Sequence, residues 1–228
     1  MKYVLVTLLS ASLFLGGCAG NSAGQNATSQ TEDSTKQVDV EKSETKNDQQ
    51  EHKGLIDSPQ APDDSSLTEV GQTFQDADGS ITLQAISNDN EKTEIGDVAL
   101  TISEVKVMKY EPSPDLIDFF HSYSTDEEKF SYVKIRVNVK NTSDETVNFA
   151  PVSVLETSEG EKKGFDDDFY LENLYGDYAP GDERTGQLGF VLNETDIKKL
   201  ESITIHTSDV FDEKKETLSK NKTITIPF

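Results

Sequence analysis

Three kinds of residue in this chain have the chemistry to form bonds or hold ions. The first is Cys18, the only cysteine in 228 residues. A thiol is a nucleophile that forms a stable thioether, and a lone exposed thiol in an exported protein is a liability. The small residues Gly16 and Gly17 ahead of it leave room for a protease to approach the backbone. The second kind is hard oxygen, concentrated in Asp76-Ala77-Asp78-Gly79 and in Asp166-Asp167-Asp168, with Glu161 and Glu172 near the latter. Carboxylates so spaced suit calcium, and Asp76, Asp78, Asp166, Asp167 and Asp168 are the candidate ligands; no other cofactor is expected. An EF-hand frame on the first segment puts Phe74 at its first ligand position and Ala85 at its twelfth, so Asp78-Gly79 reads instead as a hairpin turn. The third kind is histidine. His52, His121 and His206 have no flanking motif for a catalytic triad, and read as surface or strand-end residues. With Met108 the only methionine after Met1, a copper site is also poorly supplied.

The elements that would position these groups begin with Lys2 and the apolar run Val4 to Leu15. About 20 apolar residues are needed to span a bilayer, and this run is too short, so it reads as a secretory signal. Its end, Leu15-Gly16-Gly17-Cys18, resembles the lipobox of bacterial lipoproteins. The resemblance implies cleavage before Cys18, a diacylglyceryl group on its sulfur, and a mature protein anchored on the outer face of the cell membrane. Residues 1–17 are then the signal peptide. Residues 18–66 have no aromatic side chain and are rich in Ser, Thr, Gln, Asn, Asp, Glu and Lys. Such a stretch cannot bury enough apolar surface to offset its ordering entropy, and is expected to be a disordered acidic tether with a reach of about 40 Å.

Residues 67–228 are expected to form one all-β domain. Ile81, Leu83 and Ala85 alternate onto one face, as do Val98, Leu100 and Ile102; Val105 and Val107 then fall out of phase, which predicts a bulge near Ser103-Glu104. In Tyr132 to Lys140, Val133, Ile135, Val137 and Val139 point to the core, and Lys134, Arg136, Asn138 and Lys140 to a wet, cationic face. The turn Asn141 to Glu145 leads to Thr146–Phe149, read as the return strand of a hairpin. Further strands are expected at Val152–Thr157, Phe169–Leu174, Thr185–Leu192, Ser202–His206 and Thr223–Phe228. Short helical turns are expected at Pro114–Phe120, and at Asn193–Leu200 with Asn193 as its cap. Many short strands with little helix argue for a β-sandwich.

The run Tyr132 to Ser143, then Gly160, Ala179-Pro180-Gly181, and Gly186-Gln187-Leu188-Gly189-Phe190-Val191-Leu192, resembles a domain of unknown function found in Gram-positive lipoproteins. Its fold is similar to the Ig-like mycobacterial immunoprotective extracellular antigen. The resemblance covers roughly Val98 to Asp209, interrupted by Lys109 to Lys129. It implies an Ig-like sandwich and brings no catalytic residues.

Charge narrows the partners. With 43 acidic against 21 basic residues the formal net charge is −22, which repels nucleic acid. The membrane through the lipid anchor and a protein or peptide remain as partners. The leading expectation is a non-enzymatic binding or interaction module at the cell surface; the alternative is a metal-dependent wall or peptide hydrolase using the acidic loops.

Overall fold

The computed structural model describes residues 60–228. Cys18, the expected signal peptide and most of the expected tether lie outside the described residues. The strands run, in chain order, β1 Thr73–Asp76, β2 Gly79–Ser87, β3 Glu91–Ile95, β4 Val98–Pro112, β5 Phe130–Asn141, β6 Val147–Phe149 and β7 Val154–Thr157. They continue with β8 Lys162–Gly164, β9 Gly176–Tyr178, β10 Glu183–Leu192, β11 Ser202–His206, β12 Val210–Phe211, β13 Thr217–Ser219 and β14 Thr223–Pro227. A six-stranded antiparallel sheet has the order β1-β2-β4-β5-β10, with β3 pairing the first part of β4. Two four-stranded sheets, β14-β11-β7-β8 and β13-β12-β6-β9, contribute to the core on one of its faces.

Alternation on β4, β5 and β10 builds that core. Val133, Ile135, Val137 and Val139 pack with Val105, Val107, Leu188 and Phe190, and against Phe149, Leu155, Ile203 and Ile205 from the smaller sheets. The expected bulge exists: the β4–β5 register shifts between Ile102 and Glu104. It lets one 15-residue strand keep Leu100 and Ile102 in the same core as Val105 and Val107. A second register shift between Leu83 and Ala85 corrects the reading of β2. Ala85 packs in the sandwich core, whereas Ile81 and Leu83 point to the opposite side of the sheet, because an extra residue reverses every following side chain.

That opposite side is not wet. A second core lies on it, formed by Ile81, Leu83, Met108, Tyr110, Tyr132 and Val191 under Ala61, Leu67, Phe120, Phe169 and Tyr170. The interruption between β4 and β5 supplies part of this cover. A 3₁₀ turn at Pro114–Leu116 and helix α1, Ile117–Phe120, deliver Phe120, whose ring meets Tyr110 edge-on at 5.5 Å and Phe169 at 5.2 Å. Residues ahead of 67 supply the rest: Ala61 and Asp64 are buried, so the folded body starts before the expected boundary.

Three further expectations change. β6 does not return beside β5 but crosses to another sheet, pairing β9 and β12, because β5 already has β4 and β10 on its two edges. Phe169–Leu174 is an irregular segment rather than a strand, with a single bridge from Asp168 to Phe190. The 3₁₀ turn Ile197–Lys199 is capped by Asp196, whose side chain accepts from Lys198 N, and not by Asn193. Asn193 instead ties down the β4–β5 connection, donating to the Tyr123 carbonyl and accepting from Thr125 N.

Candidate functional site

The bulge at Ser103 decides which side chains meet on the outer face of the long sheet. Past it, Glu104, Lys106, Met108 and Tyr110 stand opposite Arg136, Lys134, Tyr132 and Phe130 in register. Half of this face is aromatic and apolar; the other half is ionic. Lys106 and Lys134 are 1 % and 0 % exposed, which corrects the expectation that Lys134 lies on a wet face. Their shared partner is Asp64. Lys106 Nζ donates to Asp64 Oδ2 at 2.9 Å and to the Asp64 carbonyl at 3.0 Å, and Lys134 Nζ donates to Asp64 Oδ1. Glu104 adds Oε2 at 3.2 Å from Lys106 Nζ and Oε1 at 3.5 Å from Lys134 Nζ, with Arg136 Nη2 3.7 Å away.

Burial pushes the Asp64 carboxyl up, but Lys134 and Lys106 outweigh it and hold the group below the ordinary aspartate range. Burial lowers Lys134 in spite of Asp64 and Glu104. The cluster is not saturated: Glu104 Oε1 and Arg136 Nε are buried without a hydrogen-bond partner. Buried ion clusters of this kind are costly to assemble and costlier to break, about 3–5 kcal/mol when one partner is removed.

The second feature is the segment from Phe165 to Tyr175. Asp168 anchors it: Oδ1 accepts from Gly189 N at 2.8 Å and Tyr170 N at 3.1 Å, while burial pushes the carboxyl up to about 6. Phe169 and Tyr170 then pack against β10 where glycine leaves room. A Cβ on Gly189 would run into both rings, and one on Gly186 into Glu172 and Leu174. This explains the Gly186-Gln187-Leu188-Gly189 spacing. On these buried anchors the segment carries Phe165, Leu171 and Tyr175, 42 %, 52 % and 42 % exposed, with the Phe165 and Tyr175 rings 5.6 Å apart. Leu171 and Asn173 have φ of 58° and 53°. A left-handed conformation costs a bulky residue about 1–2 kcal/mol, and such outliers concentrate at functional sites.

Of the candidate calcium ligands, Asp76, Asp167 and Asp168 have carboxylate oxygens engaged in local structure. Asp76 Oδ1 accepts from Asp78 N at 2.9 Å, and the Asp78 carbonyl accepts from the Tyr110 hydroxyl at 2.8 Å, so these residues build the expected hairpin turn. Asp167 Oδ2 accepts from Gly164 N at 2.7 Å. Asp166 is exposed beside it, and Asp168 is committed as described. Glu161 is engaged with Asn193 N, Glu194 N, the Thr195 hydroxyl and Lys163. Among the described residues, no group of three or more His, Cys, Asp or Glu is placed to hold a metal ion. His206 ends β11 beside Thr223, and His121 is exposed beside Glu127, as expected of strand-end and surface histidines.

Sequence reading missed the Asp64–Lys106–Lys134 cluster. Lys106 and Lys134 each sit between two buried apolar neighbours on a strand, the pattern of a solvent-facing residue, and it is the bulge that places them opposite one another. Asn141, where the sequence places the end of the strand and the start of a turn, is the residue on which the two meet. It is buried, donates to the Glu145, Tyr178 and Ala179 carbonyls, and its own backbone N–H bonds Asp182 O, so it locks the Ala179-Pro180-Gly181 turn against the end of β5.

With this geometry in hand, similarity to known proteins is informative. The chain is 35% identical over 237 residues to the uncharacterized protein YdhF of Bacillus subtilis (strain 168), covering 98% of this chain and 99% of that one. It is 28% identical over 148 residues to the SPbeta prophage-derived uncharacterized lipoprotein YonS of the same organism, covering 63% and 64%. A crystal structure of a functionally unknown protein from Listeria monocytogenes EGD-e aligns over 66% of this chain and 87% of its own, with 17% identity and a TM-score of 0.47. Residues 68–216 match a family described as Domain of unknown function (DUF4352), a span that includes the β4–β5 connection and extends beyond the expected Val98 to Asp209 on both sides. By this match, which takes in both the Asn141 lock and the glycine pair of β10, the chain belongs to the DUF4352 family.

Proposed function

We propose that this protein is a lipid-anchored, extracytoplasmic, non-enzymatic binding module, held through Cys18, whose Ig-like sandwich engages a basic protein or peptide through the segment 165–175. The observation that carries the reading is the exposure of Phe165, Leu171 and Tyr175 on a segment pinned by the buried Asp168, Phe169, Tyr170 and Leu174. Aromatic residues on a rigid support are the usual anchors of protein interfaces, because little entropy is lost when they are covered. Exposed Asp166 and Asp167 and a net charge of −22 favour a cationic partner. The anchor is supported by the Leu15 to Cys18 motif and by the likeness to a relative named as a lipoprotein.

The test is a photo-crosslinking residue placed at 165 or 175 in intact cells, with exposed Val70 as the control position. Positions 165 and 175 should yield the same adduct and position 70 none, and Asp166→Lys with Asp167→Lys should abolish it. Adducts of equal yield at all three positions, or none at 165 and 175, overturn the reading.

A further inference from the structure

Residues 60–67 cross the outer face of the long sheet without joining a strand. The bonds from the sheet to this strap come mostly from side chains. The Tyr110 hydroxyl donates to the Gln60 carbonyl at 3.0 Å, Asp63 N reaches Asp76 Oδ2 at 3.3 Å, and Lys106 and Lys134 converge on Asp64. The buried apolar surface the strap brings is small, chiefly Ala61 and Leu67.

Beneath it, β4 and β5 fix Lys106 directly opposite Lys134. Two like charges so paired repel, and both ammoniums are out of water. The arrangement therefore calls for an anion between them, and the strands hold both lysines whether or not the strap is in place. Glu104, on β4 itself, supplies one carboxylate at 3.2 Å from Lys106 Nζ and 3.5 Å from Lys134 Nζ, but Arg136 shares it, so a second is needed; that second, Asp64, is delivered from outside residues 68–216, the span shared with the family. We propose that Lys106 and Lys134 form a carboxylate-binding site occupied in cis by Asp64, and that residues 60–67 are a releasable latch fixing where the N-terminal part of the chain leaves the sandwich.

The site recognises a carboxylate flanked by two ammoniums, and this can be met by any carboxylate that reaches it. Linkage through the chain gives Asp64 a high effective concentration, and the acidic surface disfavours foreign anions at long range. Release of Asp64 removes the strap's charged contacts and leaves it held by the Tyr110–Gln60 and Asp63–Asp76 hydrogen bonds and by Ala61 and Leu67, which lowers the cost of detaching it.

The test uses the mature full-length chain and acetate as the probe. Asp64→Ala should lower Tm by roughly 10 °C. Acetate should restore part of that loss, and chloride at equal ionic strength should not; Lys134→Met in the same background should remove the acetate response. In the unmutated chain, hydrogen exchange of the Ser65 and Leu67 amides should be roughly a hundredfold faster than that of the β5 amides, and acetate should speed it further where chloride does not. Acetate and chloride acting alike in both proteins overturns the carboxylate site. Strap amides that exchange only with global unfolding overturn the latch. If Asp64→Ala does not fold, the exchange comparison on the unmutated chain decides both points.

Discussion

Two buried aspartates of this protein are shifted in opposite directions, because their partners differ. Asp64 faces two ammoniums and is held below the ordinary aspartate value of 3.8, so its stabilising contribution is present above that pH and is lost as the carboxyl protonates. Asp168 is raised from 3.8 to about 6, by burial that its backbone N–H partners do not fully offset. Its contribution is therefore complete below about pH 4 and is lost as pH rises through 6. In Asp168→Asn the titration is gone, while the amide oxygen still accepts from Gly189 N and Tyr170 N. The stability of the native protein relative to this variant should fall by about 2 kcal/mol between pH 4 and pH 7. Thermal melts of the two proteins across that range measure the difference, to which Asp64 contributes equally in both. A pH-independent difference would show that Asp168 is ionised throughout. Adjacent acids can have different surroundings: Asp166 and Asp167 are exposed, the latter accepting from Gly164 N, while Asp168 is buried against β10.

At the scale of elements, β10 and the segment 168–174 are fitted to one another through missing side chains. Gly189→Ala places a methyl group against the Tyr170 and Phe169 rings, both backed by the second core, so neither has room to withdraw. A loss of about 2–3 kcal/mol is expected, measured by denaturant unfolding. Gly186→Ala meets the side-chain ends of Leu174 and Glu172, and the shift of Glu172 Oε2 gives up its hydrogen bond from Gln187 N; with no ring in the way it should cost less. Combining Gly189→Ala with Tyr170→Ala should cost less than the sum of the two, since the second change removes what the first strikes. An additive result would mean that the rings are not what the glycine accommodates.

Why these glycines matter was not legible in the sequence, although the strand that carries them was. Alternation located β4, β5, β10, β11 and β14, and the break in phase located the bulge, because these depend on neighbours two residues apart. Which face is covered depends on residues far along the chain. Lys134 reads as solvent-facing because its strand alternates cleanly, and its burial follows only from Asp64, 70 residues earlier, and from Phe120, Phe169 and Tyr170 closing the rest of that face. The crossing of β6 to another sheet was hidden for a related reason. A turn-rich stretch after a strand looks like a hairpin unless it is known that both edges of that strand are taken.

At the scale of the whole molecule, the proposed membrane attachment needs a physical basis. No helix among the described residues is long and apolar enough to cross one. Electrostatic adhesion is equally unpromising, because a chain of net charge −22 is repelled by anionic headgroups. The proposed anchoring rests on acyl chains at Cys18, where burial contributes about 0.8 kcal/mol per CH₂ and two chains suffice for stable retention. Retention should accordingly be insensitive to salt and sensitive to detergent: washing membranes at high ionic strength leaves the protein in the pellet, and solubilising the bilayer releases it. Cys18→Ala should move it to the soluble fraction or block its maturation, as read by fractionation and by loss of metabolically incorporated fatty acid. A Cys18→Ala protein that stays acylated and membrane-bound would refute the anchor. Native protein released by salt alone would instead point to a partner that holds it at the surface, and would shift attention from Cys18 to the exposed segment around Phe165 and Tyr175.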